Sequence, residues 1–160
     1  MKEVKTNAMR FLDKHQVEYQ VHTYPHHGNE AVDGVTVATY LNQPVEQVFK
    51  TLITQAPSRN YHVLMIPVAQ EVDLKKAARE ASEKSLELIP VKNLLAVSGY
   101  IRGGCSPLGM KKQFDTLIDE TALLFDTIIF SAGQIGCQIE MNPETLSELI
   151  PLRFADLTRE

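Results

Sequence analysis

The segment Y61-H-V-L-M-I66 is apolar at nearly every position. A strand with one exposed face alternates apolar and polar residues, whereas a nearly continuous apolar run indicates a strand covered on both faces. The preceding segment F49-K-T-L-I-T54 also has a strand pattern. We therefore expect a sheet in which the strand at 61–66 is interior and other elements pack on both of its faces.

Helical and strand patterns occur along the whole chain, but they do not alternate strictly. They amount to about six to eight short strands and about five helices. Strict alternation would indicate a doubly wound parallel sheet. The sequence instead predicts a mixed α/β (α+β) fold, with a curved mixed β-sheet or barrel-like core surrounded by helices. The other predicted elements are a first helix with Val4, Ala8, Phe11, Leu12 and His15 on one face, strands at 19–24, 86–89, 116–119, 126–131 and 137–141, helices at 37–41, after Asp73, at 91–97 and after Asn142, a helical turn after Pro44, and a hairpin at 132–136.

The length of 160 residues fits one domain, and we expect residues 1–160 to form it. No apolar run approaches the roughly 18 residues of a membrane helix, and the N-terminus has no apolar signal core. The cysteines Cys105 and Cys137 are far apart and form no CxxC pair. We therefore expect a cytoplasmic protein with free thiols.

The formal net charge is −4. This value argues against a protein that binds nucleic acid through a broad basic surface. A local contact with one phosphate, or with the end of a nucleic acid, remains open.

The stretch Y100-I-R-G-G-C-S-P-L-G-M-K-K112 concentrates glycine, proline, cysteine and serine. It has the glycine spacing of a Walker A loop, but Met110 occupies the position of the required lysine. It also misses the G-x-S-x-G nucleophile elbow, because Gly109 comes one position late. Ser106 has no histidine downstream that could act as its base. Two alternatives remain: a loop whose backbone N–H groups bind a developing oxyanion, and a tight turn between helix and strand.

The sequence gives less support to two other kinds of site, a cysteine nucleophile and a zinc site. Cys105 could be a nucleophile, but a small half-buried residue in a tight loop is the favoured interpretation. His22, His26 and His27 could ligate zinc together with a cysteine. Because His22 lies in a strand and the other two flank a turn, we expect polar strand-edge and loop residues and no metal or other cofactor.

Lys50 is the second notable residue, because strand alternation puts it on the same face as Leu52. An inward lysine would be a fixed positive charge near a pocket, or a lysine with a lowered pKa. A solvated lysine at the start of a strand is the alternative, and burial statistics favour it.

An ordered series of motifs runs through nearly the whole chain. It resembles the YbaK/EbsC family of stand-alone aminoacyl-tRNA deacylases, relatives of the editing domain inserted in bacterial prolyl-tRNA synthetases. The order and spacing of the motifs carry the resemblance more than any single motif does. The motifs are H22-T-Y24, V45-E-Q-V-F-K-T-L52, D73-L-K-K-A77, G103-G-C-S-P-L-G109 with K111-K112, S131-A-G-Q-I-G136 and F154-A-D156.

The resemblance implies a barrel-like mixed sheet wrapped by helices, and an enzyme that removes cysteine mischarged on tRNA-Pro. It implies that Lys50 is the essential lysine and acts with Gly103 and Gly104 as the catalytic group. The implied partners are the aminoacylated 3′ end of tRNA and a prolyl-tRNA synthetase. Further substrate-binding residues implied by the resemblance are Tyr24, Ser106 and Ser131.

In family terms the enzyme supplies no covalent nucleophile. The thiol of the substrate attacks its own ester, or a tRNA hydroxyl and water act instead, as in related editing domains. The N–H groups of residues 103–106 would then hold the ester oxygen while Lys50 contacts the terminal adenosine or its phosphate. Ile135 and Gln138 stand where the family often has a basic residue and an aspartate. The alternatives are a deacylase for Ala- or Ser-charged tRNA, and a non-catalytic protein that binds aminoacyl-tRNA ends.

Overall fold

The computed structural model describes residues 5–159, which form five α-helices and eight β-strands in two sheets. Within this range, no helix is both long and apolar enough to cross a membrane. The helices are α1 (Asn7–Lys14), α2 (Gly34–Leu41), α3 (Leu74–Glu80), α4 (Val91–Ser98) and α5 (Pro143–Leu149). The strands are β1 (Gln20–Thr23), β2 (Phe49–Gln55), β3 (Tyr61–Pro67), β4 (Glu87–Leu88), β5 (Asp115–Asp119), β6 (Ile128–Gln134), β7 (Cys137–Met141) and β8 (Leu152–Ala155).

The larger sheet has the strand order β4-β2-β3-β5-β8, so the apolar strand β3 is its central strand. Leu64 and Ile66 pack with α3 on one face of the sheet. On the other face, Met65 packs with α1 and the smaller sheet, and Val63 packs against the loop that follows α4. The prediction of a strand covered on both faces is confirmed.

The smaller sheet has the order β1-β7-β6, and all of its pairs are antiparallel. In the larger sheet, β3–β5 and β5–β8 are parallel while β2–β3 is antiparallel. Val48 and Ile129 form an isolated parallel bridge between the two sheets. The mixed fold is therefore confirmed, with two joined sheets and, among the described residues, no closed barrel.

Local sequence signals explain where the helices begin and end. The Asp73 side chain accepts from the N–H groups of Lys75 and Lys76 at the start of α3. Asn142 accepts from Thr145 N–H at the start of α5, and Pro143 occupies its first turn. The helix α4 ends at Gly99, which has a positive φ of 88°.

The structure differs from the sequence predictions in one strand, and one residue of a predicted helix lies outside the described range. The sequence predicts no strand after α5, yet β8 pairs in parallel with β5 and completes the larger sheet. Its four residues are too few for a clear alternation. Val4, predicted to lie in the first helix, is outside the described residues.

Candidate active site

A cavity of about 740 Å³ lies between α2, the start of β2, the loop after α4, and the strands β6 and β7. Four of the six residues singled out from the sequence line it, although they come from four separate parts of the chain. The other two, Gly104 and Ser106, are not on its wall. The four lining residues are Tyr24, Lys50, Gly103 and Ser131.

Lys50 is partly buried and lines the cavity, as do its strand neighbours Phe49, Thr51 and Leu52, so residues of both strand faces reach this wall. Partial burial lowers the pKa of its amine, and the negative charge of Glu71 opposes this shift. Within residues 5–159 no side chain hydrogen-bonds or ion-pairs with the Lys50 amine. Lys50 is thus a partly buried lysine that lines the cavity and whose amine has no partner among the described residues.

Gly103 and Gly104 have different surroundings. Gly103 has a φ of +86° and faces the cavity, and a Cβ there would lie 2.9 Å from the Ala31 Cβ. Gly104 packs against backbone, because a Cβ there would lie 3.1 Å from the Ile135 nitrogen in the β6–β7 turn. The Gly104 N–H donates to the Ile101 carbonyl oxygen at 2.9 Å. This N–H is therefore engaged within the loop.

The two side chains with nucleophile chemistry in this loop are both sequestered. Ser106 has no exposed surface, and its Oγ accepts from the Leu108 N–H at 3.3 Å. Burial raises the pKa of the Cys105 thiol to about 12. At neutral pH this thiol is protonated, which supports the structural interpretation of Cys105.

Backbone donors remain at the wall formed by the loop. The N–H groups of Gly103 and Cys105 have no acceptor among the described residues, and both residues line the cavity. Tyr100 fixes the loop, because its hydroxyl donates to the Leu108 carbonyl oxygen at 2.6 Å. The Tyr100 ring also packs on Gly133, where a Cβ would lie 2.8 Å from the ring.

Three polar atoms on residues that line this cavity are buried without a hydrogen-bond partner in the described chain: the Tyr24 hydroxyl, Thr51 Oγ1 and Gln138 Oε1. A buried polar group without a partner costs about 1–3 kcal/mol, and a polar ligand can remove that cost. Thr51 was missed by the sequence reasoning because alternation puts it on the opposite strand face from Lys50.

The rim carries charges of both signs. Arg102 and Asp33 line the cavity beside Lys50. The two carboxylate oxygens of Asp33 accept hydrogen bonds from the hydroxyl and the backbone N–H of Thr36. These hydrogen bonds lower the pKa of the Asp33 carboxyl. Asp33 therefore caps α2 as a carboxylate, while the Lys50 amine has no such partner among residues 5–159.

A larger cavity of about 1230 Å³ lies between α1 and the smaller sheet, and none of the six singled-out residues line it. Two of the carboxylates that line it already have partners. Asp13 accepts from Lys5 and Tyr19, and Glu140 accepts from Thr127 and pairs with His22 at 2.7 Å. We therefore place the candidate site in the smaller cavity.

The histidines do not converge on a metal site. His22 pairs with Glu140, while the His26 ring hydrogen-bonds to the Gly28 carbonyl oxygen at 2.9 Å. No group of three or more His, Cys, Asp and Glu side chains in the described range is arranged to hold a metal ion.

The sequence pattern of the aminoacyl-tRNA editing domain family matches residues 29–149, which include most of the cavity wall. The chain belongs to this family. It is 42% identical over 154 residues to the Enterococcus faecalis protein named "Putative Cys-tRNA(Pro)/Cys-tRNA(Cys) deacylase EbsC", covering 96% of this chain and 93% of that protein. These matches confirm the resemblance to the YbaK/EbsC family.

Two solved structures have the same fold. One is described as "a putative trans-editing enzyme for prolyl tRNA synthetase", with a TM-score of 0.82, 19% identity, and coverage of 99% of this chain and 100% of that one. The other is the hypothetical protein APE2540, with a TM-score of 0.86, 16% identity, and coverage of 96% and 100%. At these identities the likeness supports the mixed fold alone.

Proposed function

We propose that this protein is an aminoacyl-tRNA deacylase that removes cysteine mischarged on tRNA-Pro. The relative with 42% identity carries a name for this activity, and residues 29–149 match the editing domain family. One structural observation carries the proposal. A single cavity gathers Lys50, Gly103, Tyr24 and Ser131 and includes three residues with buried polar atoms that lack a partner in the described chain.

The chemistry that fits this cavity is substrate-assisted. Cys105 is protonated at neutral pH and Ser106 is fully buried, so neither is suited to attack the ester. The thiol of the cysteinyl group instead attacks its own carbonyl carbon, and the ester C–O bond breaks. The thiol proton goes to the departing ribose oxygen, and the free tRNA 3′ end is released together with a cyclic thioester.

The protein contributes orientation and charge stabilisation to this reaction. The free N–H groups of Gly103 and Cys105 donate to the oxygen on which negative charge develops. Losing one such donor costs about 3 kcal/mol of transition-state stabilisation. Lys50 binds the terminal adenosine or its phosphate, because its amine is charged, partly buried and without a partner among residues 5–159. Tyr24 and Ser131 line the space for the aminoacyl group.

Gly104 and Ser106 support the site without facing it. Gly104 lets the loop touch the β6–β7 turn, and Ser106 Oγ holds the Leu108 N–H. The sequence predicts that the N–H groups of residues 103–106 hold the ester oxygen. The Gly104 N–H is engaged within the loop instead, because it donates to the Ile101 carbonyl oxygen.

Three further parts of the proposal concern the setting of the enzyme. Residues 1–160 act as one editing domain in the cytoplasm, where charged tRNA is used. The reaction needs no metal or other cofactor, because the thiol comes from the substrate. A prolyl-tRNA synthetase is the proposed partner, since it is the enzyme that produces the mischarged tRNA.

The test is the loss of the ester from tRNA-Pro charged with Cys, Ala, Ser or Pro, measured with labelled amino acid. We expect rapid loss of Cys and slow loss of the others. Faster loss of Ala or Ser would identify the alternative deacylase and contradict thiol attack. Protein that binds these tRNAs without any ester loss would be the non-catalytic alternative.

A further inference from the structure

A second groove, of about 660 Å³, lies apart from the candidate active site and shares no lining residue with it. The start of β3, the last turns of α4 and the segment 111–115 form its walls. Three cations, Arg59, Lys111 and Lys112, line it. All three are exposed, so their charged ends are available to a partner.

Ion pairs do not neutralise these cations within the described part of the chain. None of the three forms an ion pair with a residue in the range 5–159, in contrast to Lys5 and Lys76 elsewhere on the surface. Asp115 is the one carboxylate that lines the groove, and the cations outnumber it. In a chain with a formal net charge of −4, this is a local excess of positive charge.

The groove has a fixed floor. The Tyr61 and Phe114 rings lie 5.1 Å apart at an angle of 51°. The Lys111 N–H donates to the Ser98 carbonyl oxygen at 3.1 Å, which ties segment 111–115 to the end of α4. The backbone of this basic segment is therefore held in place before a partner binds, which lowers the entropy cost of binding.

The groove and the active-site cavity are connected through one loop. Gly103 and Cys105 line the cavity, and Lys111 and Lys112 line the groove a few residues later. One apolar cluster contains both Cys105 and the groove residue Phe114. The two sites are therefore linked by one continuous segment of the chain and by one apolar cluster.

We propose that this groove binds the phosphate backbone of the tRNA acceptor stem while the aminoacyl end occupies the cavity. This inference rests on the proposed function and adds where the protein holds the body of its substrate. Exposed lysine and arginine side chains around a groove suit phosphate contacts, which position nucleic acid without reading its sequence. A local excess of positive charge is also the kind of phosphate contact that is compatible with a formal net charge of −4.

The test compares Lys111→Gln/Lys112→Gln with Lys14→Gln/Lys84→Gln, a pair of exposed lysines outside the groove. Each is assayed on Cys-tRNA-Pro and on a cysteinyl ester of a short oligonucleotide ending in CCA. We expect the groove variant to lose about tenfold in kcat/KM on the whole tRNA and nothing on the short ester. The slope of log kcat/KM against log salt should become shallower by about 1–2.

Equal losses on both substrates, or equal losses in both variants, would overturn the groove assignment. Binding of uncharged tRNA-Pro to the same variants keeps this test separate from catalysis. If wild-type protein leaves every ester intact but its tRNA binding depends on Lys111 and Lys112, the proposed function fails and the groove assignment stands. Displacement of that tRNA by polyglutamate at equal charge concentration would instead indicate an acidic protein partner and overturn the RNA proposal.

Discussion

The Tyr100 hydroxyl donates a hydrogen bond of 2.6 Å to the Leu108 carbonyl oxygen and thereby closes the glycine loop across its width. Both residues are buried. Burial, with a smaller contribution from Cys105, raises the pKa of the Tyr100 hydroxyl to about 12, so it keeps its proton and its role as donor at neutral pH. We expect this closure to hold the N–H groups of Gly103 and Cys105 at the cavity wall.

Tyr100→Phe removes that donor and leaves the Leu108 carbonyl oxygen buried without it. We expect a loss of about 1–3 kcal/mol in the free energy of unfolding and a lower kcat. Urea denaturation and deacylation kinetics measure the two effects. Tyr40→Phe, on an exposed tyrosine of α2, is the control. A destabilised variant with unchanged kcat would show that the loop does not shape the site.

Lys50→Met separates function from stability at the cavity. The Lys50 amine has no partner within residues 5–159 and its partial burial disfavours the charged form, so Met should keep or raise Tm. We expect deacylation to fall by about 100-fold or more, the scale of losing an oriented charge. Lys84→Met controls for removing an exposed lysine. Full activity of Lys50→Met would remove this residue from the site.

Cys105→Ala should retain most of the wild-type kcat, because burial raises the pKa of this thiol to about 12 and the thiolate is absent at neutral pH. The cost should be about 1 kcal/mol of stability from the lost packing. Cys137→Ala, at the other buried cysteine, is the matched control. Abolished turnover with intact tRNA binding in Cys105→Ala alone would require a cysteine nucleophile.

Gln138→Met tests the unpartnered polar atoms on the cavity-lining residues. Because the buried Gln138 Oε1 lacks a partner in the described chain, its removal should not lower Tm. We expect kcat/KM for Cys-tRNA-Pro to fall about tenfold, since one hydrogen bond to the substrate is lost. Gln70→Met, at an exposed glutamine, should change neither quantity. A large fall in Tm would assign Gln138 a structural role instead.

Glu83→Gln tests an ion pair beside the basic groove. The hydrogen bond from His62, at 2.7 Å, is the main cause that lowers the pKa of the Glu83 carboxyl. A carboxyl whose pKa is lower in the native state than in the unfolded state stabilises the fold at pH values above its unfolded pKa. This stabilisation is lost as the pH falls through the native pKa. The urea midpoints of wild type and variant should therefore differ at pH values above the unfolded pKa of this carboxyl and approach each other as the pH falls through its lowered native pKa. Glu80→Gln is the exposed control. A constant difference across this range would contradict the assignment.

The sequence was sufficient for elements with strong local signals. Three elements lie where the sequence predicts them. They are β3 with its continuous apolar run, α3 with its Asp73 cap, and α5 with its Asn142-Pro143 start. Strand β8 was missed because it is short and is held by pairing with β5 instead of by its own alternation. Such tertiary pairing leaves little trace in a single sequence.

The sequence predicted only part of the candidate site, because the rest depends on the folded path of the chain. Tyr24, Lys50, Gly103 and Ser131, which the motifs singled out, line one cavity, and their roles in binding and catalysis stay predictions. The direction of each N–H in the loop depends on its folded path, so the engaged Gly104 N–H could not be foreseen. Thr51 was equally hidden, because a regular strand would point it away from Lys50.

The pairing of β1 with β7 also determines the order in which the molecule can assemble. Residues 20–23 can form their strand pairing only after residues 137–140 have been synthesised, because β1 pairs with β7. That same strand brings Gln138 to the cavity, and the turn before it contacts Gly104. During synthesis the cavity wall is therefore completed only after residue 138 has been added. A product interrupted before β7 would lack Gln138 and the strand on which β1 pairs, so its cavity would be incomplete.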